Sequence, residues 1–139
     1  MAFSVFKARM AFVSAAFTCL FGQQGFAQPP NHQQKIADTQ TRLQMLEQNI
    51  STLNKTNTCD GDSECDVLEM GVRLCGGPSS YLIVSLMNPS LSTIKAKLIE
   101  VAAVQKELNS IDAPLSCTPA PSAPDVKCEK QVCVEQTKK

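Results

Sequence analysis

The residues best equipped for chemistry in this sequence are its cysteines and the acids set between them. They concentrate in the stretch from Cys59 to Ser85, CDGDSECDVLEMGVRLCGGPSSYLIVS. Thiol redox work would use Cys-x-x-Cys, a spacing that lowers the pKa of one thiol. The closest spacings here are Cys59-x5-Cys65 and Cys128-x4-Cys133. A structural zinc site also favours short Cys or His pairs. The one histidine, His32, sits in QPPNHQQ, far in sequence from every cysteine. Asp60, Asp62, Glu64 and Asp66 place an oxygen at every second residue, as a calcium loop does. Counted from Asp60, however, the sixth position is Cys65 and the twelfth is Gly71, where an EF-hand needs glycine and glutamate. The sequence therefore assigns no metal site, and the acidic stretch reads as a solvated turn.

Nucleophilic catalysis needs a base beside the nucleophile, and a single histidine in a polar lead-in is poorly placed to be one. The acids form no evident cleft pair for acid–base work. The turn Gly76-Gly77-Pro78-Ser79-Ser80 is too short for a phosphate loop and lacks the following lysine. Its glycines more simply allow positive φ. The expectation is a protein that is not an enzyme and carries no cofactor.

What remains for the sulfur is cross-linking, and the N-terminus says where that would happen. The chain opens MAFSVFKARMAFVSAAFTCLFGQQGFAQPP. Lys7 and Arg9 precede an apolar run from Met10 to Phe21, too short to span a bilayer as a helix and suited to the core of a secretory signal. Gly25 and Ala27 are small residues at −3 and −1 of a cut after Ala27. Residues 1–27 thus read as a signal peptide, and the mature chain as running from Gln28 to Lys139. A lipid-modified Cys19 would want a small residue before it and a large aliphatic one three before; Thr18 and Ala16 occupy those places. Basic and acidic side chains number 13 each, with Lys7 and Arg9 inside the signal. The remainder is slightly acidic, with no basic patch for nucleic acid, and no later apolar stretch is long enough to cross a membrane.

Of seven cysteines, Cys19 leaves with the signal. Cys59, Cys65, Cys75, Cys117, Cys128 and Cys133 are then the disulfide candidates of an exported chain. Six cysteines allow about 15 pairings. At about 2–4 kcal/mol each, three bridges would rival the stability of an ordinary domain. The favoured bridge is Cys75–Cys117, stapling a turn to a strap after the second helix. The other four cysteines link the acidic turn and the C-terminal strands, either locally or crosswise.

The elements that must position these residues follow from periodicity. Residues 28–34 form a flexible lead-in in which Asn31 caps the next segment, with Gln34 three places on as in a capping box. Ile36, Thr39, Leu43, Leu46, Ile50 and Leu53 line one face of a helix over 35–56. That face packs on the protein's own sheet or, alternatively, forms a homodimer seam; a further alternative sets the helix apart from the domain that follows. Leu68, Met70, Val72 and Leu74 alternate with polar or small residues, which predicts a strand, or a short helix stopped by Gly76. CGGPSS is a turn, and YLIVSLM a buried strand pairing antiparallel with the first. Asn88 as cap and Pro89 as first residue start a helix running from about Ser90 to Ile111. Its apolar face is Leu91, Ile94, Leu98, Val101, Leu108 and Ile111. CTPAPSAPD is an extended strap. VKCEKQVCVEQ gives one or two short strands, and the end of the chain is a tail. Residues 35–135 read as a single α+β domain, a small antiparallel sheet with two helices over one face.

The segment from Cys59 onward resembles small exported bacterial proteins of unknown function. The residues that carry the likeness are Cys59, Asp62, Cys65, Cys75, Gly76, Gly77, Pro78, Tyr81, Leu82, Ser85, Cys117, Cys128, Cys133 and Val134. The resemblance implies a periplasmic or secreted life and no particular substrate. The expected function is a binding or structural role. The alternative is a secreted inhibitor or effector that inserts the Cys59–Cys65 loop, with Asp60, Asp62 and Glu64, into a protein target, since a tight loop lowers the ordering cost of binding.

Overall fold

The computed structural model describes residues 31–113 and 117–136. Residues 1–30, which include the expected signal peptide and Cys19, and the residues after 136 lie outside the described residues. The elements are α1 (His32–Leu53), β1 (Cys65–Met70), β2 (Ser80–Ser85), α2 (Leu91–Ile111), β3 (Val126–Glu129) and β4 (Val132–Glu135), with one 3-10 turn at Asp62–Glu64. The class is α+β, as the periodicity predicts.

Helix α1 begins at His32, three residues earlier than its apolar face suggests, so residues 32–34 are helical rather than a lead-in. Asn31 is the reason. Its Oδ1 accepts a hydrogen bond from the Gln34 N–H at 2.8 Å, satisfying one of the free donors of the first turn. The helix ends at Leu53. Asn54 caps it and donates from Nδ2 to the Ile83 carbonyl at 2.8 Å, tying the helix end to β2.

The apolar stripe of α1 meets α2 rather than lying across a sheet. Lys35 in the first turn of α1 and Arg42 at its middle stand 3.9 and 3.7 Å from Glu107, near the end of α2, whereas Ile50 near the end of α1 packs with Ile94 near the start of α2. The two helices therefore run antiparallel. These ion pairs are exposed and contribute at most about 1 kcal/mol; apolar burial holds the pair. Ile50, Ile94, Leu98 and Val101 form the buried centre, and Leu43, Leu46 and Leu53 pack against it together with Leu68, Met70 and Leu82 from the strands. Helix α1 thus shares one core with α2 and the two strands. Thr39, the polar member of its stripe, is buried with its hydroxyl bonded to the Lys35 carbonyl. Val104, absent from the predicted face of α2, is also buried.

Strands β1 and β2 pair antiparallel from Cys65↔Ser85 to Met70↔Ser80. The alternation through Val72 and Leu74 overstates β1, which stops at Met70. Gly71 has φ +75°, and a Cβ there would lie 2.0 Å from Gln105 Oε1. The chain leaves the strand at the one residue type that fits, and Val72 enters a loop docked on α2. Asn88 does not cap α2. Ser90 holds that position, while Asn88 accepts from the Ser90 N–H at 2.8 Å and donates to the Leu53 carbonyl at 3.1 Å. One buried amide thereby joins the end of α1 to the start of α2.

The C-terminal strands do not join the first sheet. β3 and β4 form their own hairpin, with Cys128 opposite Cys133. Residues 117–125 carry no regular secondary structure, in keeping with their three prolines.

Because Leu46 packs into this core, Leu46→Asp should abolish cooperative unfolding and most helical circular dichroism. A folded monomer by light scattering would instead place that face in a dimer seam.

Candidate functional site

The four cysteines left without a fixed pairing by sequence meet at one junction. Asn57, Thr58 and Cys59, just after α1, run alongside β4. Thr58 bridges Val132, the Cys59 N–H donates to the Gln131 carbonyl at 3.1 Å, and the Cys133 N–H donates to the Asn57 carbonyl at 3.1 Å. Asn57 Nδ2 completes the rung by donating to the Cys133 carbonyl at 3.0 Å. Two disulfides cross this seam. Cys59 joins Cys128 with Cα atoms 5.9 Å apart, and Cys65 joins Cys133 at 5.5 Å. The pairing is crosswise: Cys59 and Cys65 are not bonded to each other, so the acidic stretch is not a self-closed ring. It is a span anchored at both ends to the β3–β4 hairpin.

The hairpin turn explains why this pairing escapes sequence reading. Lys130 and Gln131 have φ +53° and +63°, a left-handed pair that tight hairpins normally fill with Asn or Gly. Two bridges and the rungs to residues 57–59 hold them there in place of local preference.

The acids lie at the surface, as a solvated turn implies, yet two of them hold backbone N–H groups. Asp62 Oδ1 accepts from the Cys128 N–H at 2.7 Å, and Glu64 Oε2 accepts from the Asp60 N–H at 2.7 Å. The Glu64 N–H bonds the Gly61 carbonyl at 3.1 Å, and its carbonyl accepts from the Leu86 N–H at 2.8 Å. Asp62 and Glu64 are thus structural staples. Asp60 is exposed. Beside it opens a cleft of about 240 Å³ lined by Thr58, Cys59, Asp60, Glu64, Met87 and Gln131. Met87 is 66% exposed on its rim. Ser85, fully buried, bonds the Thr58 carbonyl and accepts from the Met87 N–H, so β2 supports the floor of the site. Met87, Gln131 and Ser85 have no chemical signature in sequence; only the tertiary pairing brings them here.

Cys75 and Cys117 lie elsewhere, by the C-terminal half of α2, and form the expected bridge with Cα atoms 6.0 Å apart. Gln105 Oε1 accepts from the Val72 N–H at 3.0 Å and the Ser79 hydroxyl at 2.9 Å, and Asn109 Nδ2 donates to the Val72 carbonyl at 2.9 Å. Arg73 reaches the strap, bonding the Thr118 carbonyl and hydroxyl. A cleft of about 130 Å³ lies between these groups, with its polar atoms largely engaged in holding the loop. A wider cleft of about 370 Å³ opens on the same loop, lined by Val72, Arg73, Leu74, Lys106, Asn109 and Ser110. His32 stands exposed in the first turn of α1. Among the described residues no helix is long and apolar enough to cross a membrane.

The chain matches no protein-family model, no curated protein and no solved structure. The site must be read from its own geometry.

Removing the Asp62 staple should loosen the junction. Asp62→Ala is expected to cost about 1 kcal/mol in urea unfolding and to speed amide exchange at Cys128. Asp60→Ala should leave both unchanged. Equal effects from the two variants would contradict the staple.

Proposed function

We propose that this chain is an exported protein, periplasmic or secreted, that serves a binding or structural role and is not an enzyme. The observation that carries the reading is the convergence of two disulfides on one acidic span whose backbone is further held by Asp62 and Glu64. Bridges of this kind persist in oxidising compartments. A span fixed in advance loses little conformational freedom on binding. The apolar leader before Gln28 and the likeness of the cysteine pattern to small exported bacterial proteins support the same reading.

A second role, as inhibitor or effector, draws on the same junction. Asp60 and Met87 both line one open cleft, offering it a carboxylate and an exposed thioether. A protein target would meet that pair, while Asp62 and Glu64 keep its backing rigid.

Fractionation of the native host with N-terminal sequencing tests export. The protein should be found outside the cytoplasm, beginning at Gln28; a cytosolic chain starting at Met1 would contradict it. Capture of a partner from the envelope or medium should then be lost in the double variant Asp60→Ala/Met87→Ser, which leaves the staples intact. Undiminished capture by that variant would remove the junction from the binding role.

A further inference from the structure

The two bridges at the junction lie against each other. The Sγ atoms of Cys59, Cys65 and Cys133 all fall within 4.8 Å of one another, and Cys128 Sγ is bonded to that of Cys59. Four sulfurs therefore share one small volume, and Cys59 and Cys133 are 3% and 4% exposed. A zinc ion with four thiolates holds them about 2.3 Å from the metal, and hence about 3.8 Å from each other in a tetrahedron. The spacing between the two bridges is already of this order. The bonded sulfurs need only swing apart once their bonds are cut.

The frame that places the sulfurs does not depend on the S–S bonds alone. The backbone rungs between residues 57–59 and 131–133, the Asn57 side chain on the Cys133 carbonyl, the Asp62 carboxylate on the Cys128 N–H and the Ser85 hydroxyl on the Thr58 carbonyl all join the same segments. Cys128 and Cys133 are direct cross-strand partners, which keeps that pair together. Cys59 and Cys65 flank one short turn.

We propose that Cys59, Cys65, Cys128 and Cys133, when reduced, form a four-thiolate site for one thiophilic divalent ion of the zinc type. Reduction by a phosphine breaks each S–S bond, giving two thiols and one phosphine oxide whose oxygen comes from water. Metal binding then releases the four thiol protons to the buffer. Return to the bridged state takes one molecule of a small-molecule disulfide per bridge, which is reduced to two thiols as the metal leaves. The junction thus has two closed states, cross-linked and metal-bound, built from the same sulfurs. This inference is independent of the partner-binding role.

The test uses the full chain, reduced with a phosphine under anaerobic conditions and titrated with cobalt(II) and then zinc. The expected result is one ion per chain, the thiolate-to-cobalt charge-transfer absorption of a tetrahedral site, and its loss on zinc addition. Alkylation followed by peptide mapping should find Cys59, Cys65, Cys128 and Cys133 protected by zinc, with Cys75 and Cys117 reacting freely. Cys75→Ser/Cys117→Ser should retain the absorption, and Cys65→Ser/Cys133→Ser should lose it. If the latter variant fails to fold, the alkylation pattern of the unsubstituted chain decides the matter. The inference is overturned if the reduced chain binds no cobalt, if Cys75 and Cys117 are protected equally, or if binding is undiminished in strong denaturant.

Discussion

The tie between the acidic span and the C-terminal hairpin is the constraint on which the rest of this structure depends. β3 and β4 are short, and their hairpin contributes one well-buried residue, Cys133. Such a hairpin is at best marginally stable alone. Its attachment comes from two bridges closing sequence separations of 69 and 68 residues. In the chain-entropy picture a single closure of that length contributes about 4 kcal/mol. The two are not additive. Once one bridge is formed, the other closes only the small ring made by residues 59–65 and 128–133. The first mainly stabilises the fold, and the second mainly fixes the geometry of the span.

The helical layer supplies what the bridges cannot. A core centred on Ile50, Ile94, Leu98 and Val101 sets α1 against α2, and that packing fixes both loops. The start of α2 and the end of α1 are joined by Asn88, with the acidic junction next to them. Further along α2, Gln105 and Asn109 grip the loop that carries Cys75. The strap over that loop passes so near Gly77 that a Cβ there would lie 2.7 Å from Ala120. Apolar packing thus fixes two helices, and polar contacts plus sulfur fix what hangs from them.

Sequence pattern and structure agree where the information is local. Asn31, the stripe of α1, most of the face of α2, the glycine turn and the proline strap are all set by residues within a turn or two of one another. The bridge Cys75–Cys117 was also legible, because a turn and a strap each offered one cysteine. The reading failed where a partner distant in sequence decides. β1 stops at Met70, because Gly71 turns the chain at φ +75° and Gln105 from α2 takes the Val72 N–H. The hairpin turns at Lys130–Gln131, against local preference, because bridges hold it. Asn88 looks like a cap and serves instead as a link between helices. Asp62 and Glu64 lie at the surface as expected, and their role as staples depends on hairpin and loop atoms no pattern could locate. The candidate site was therefore legible as a set of residues and illegible as an arrangement.

The most direct measurement is peptide mapping of the unreduced protein, purified from its own host, with thiols blocked at lysis. The account predicts three cross-linked peptide pairs, joining Cys59 to Cys128, Cys65 to Cys133 and Cys75 to Cys117. Local bonds from Cys59 to Cys65 and from Cys128 to Cys133, or blocked free thiols at most of these positions, would contradict it.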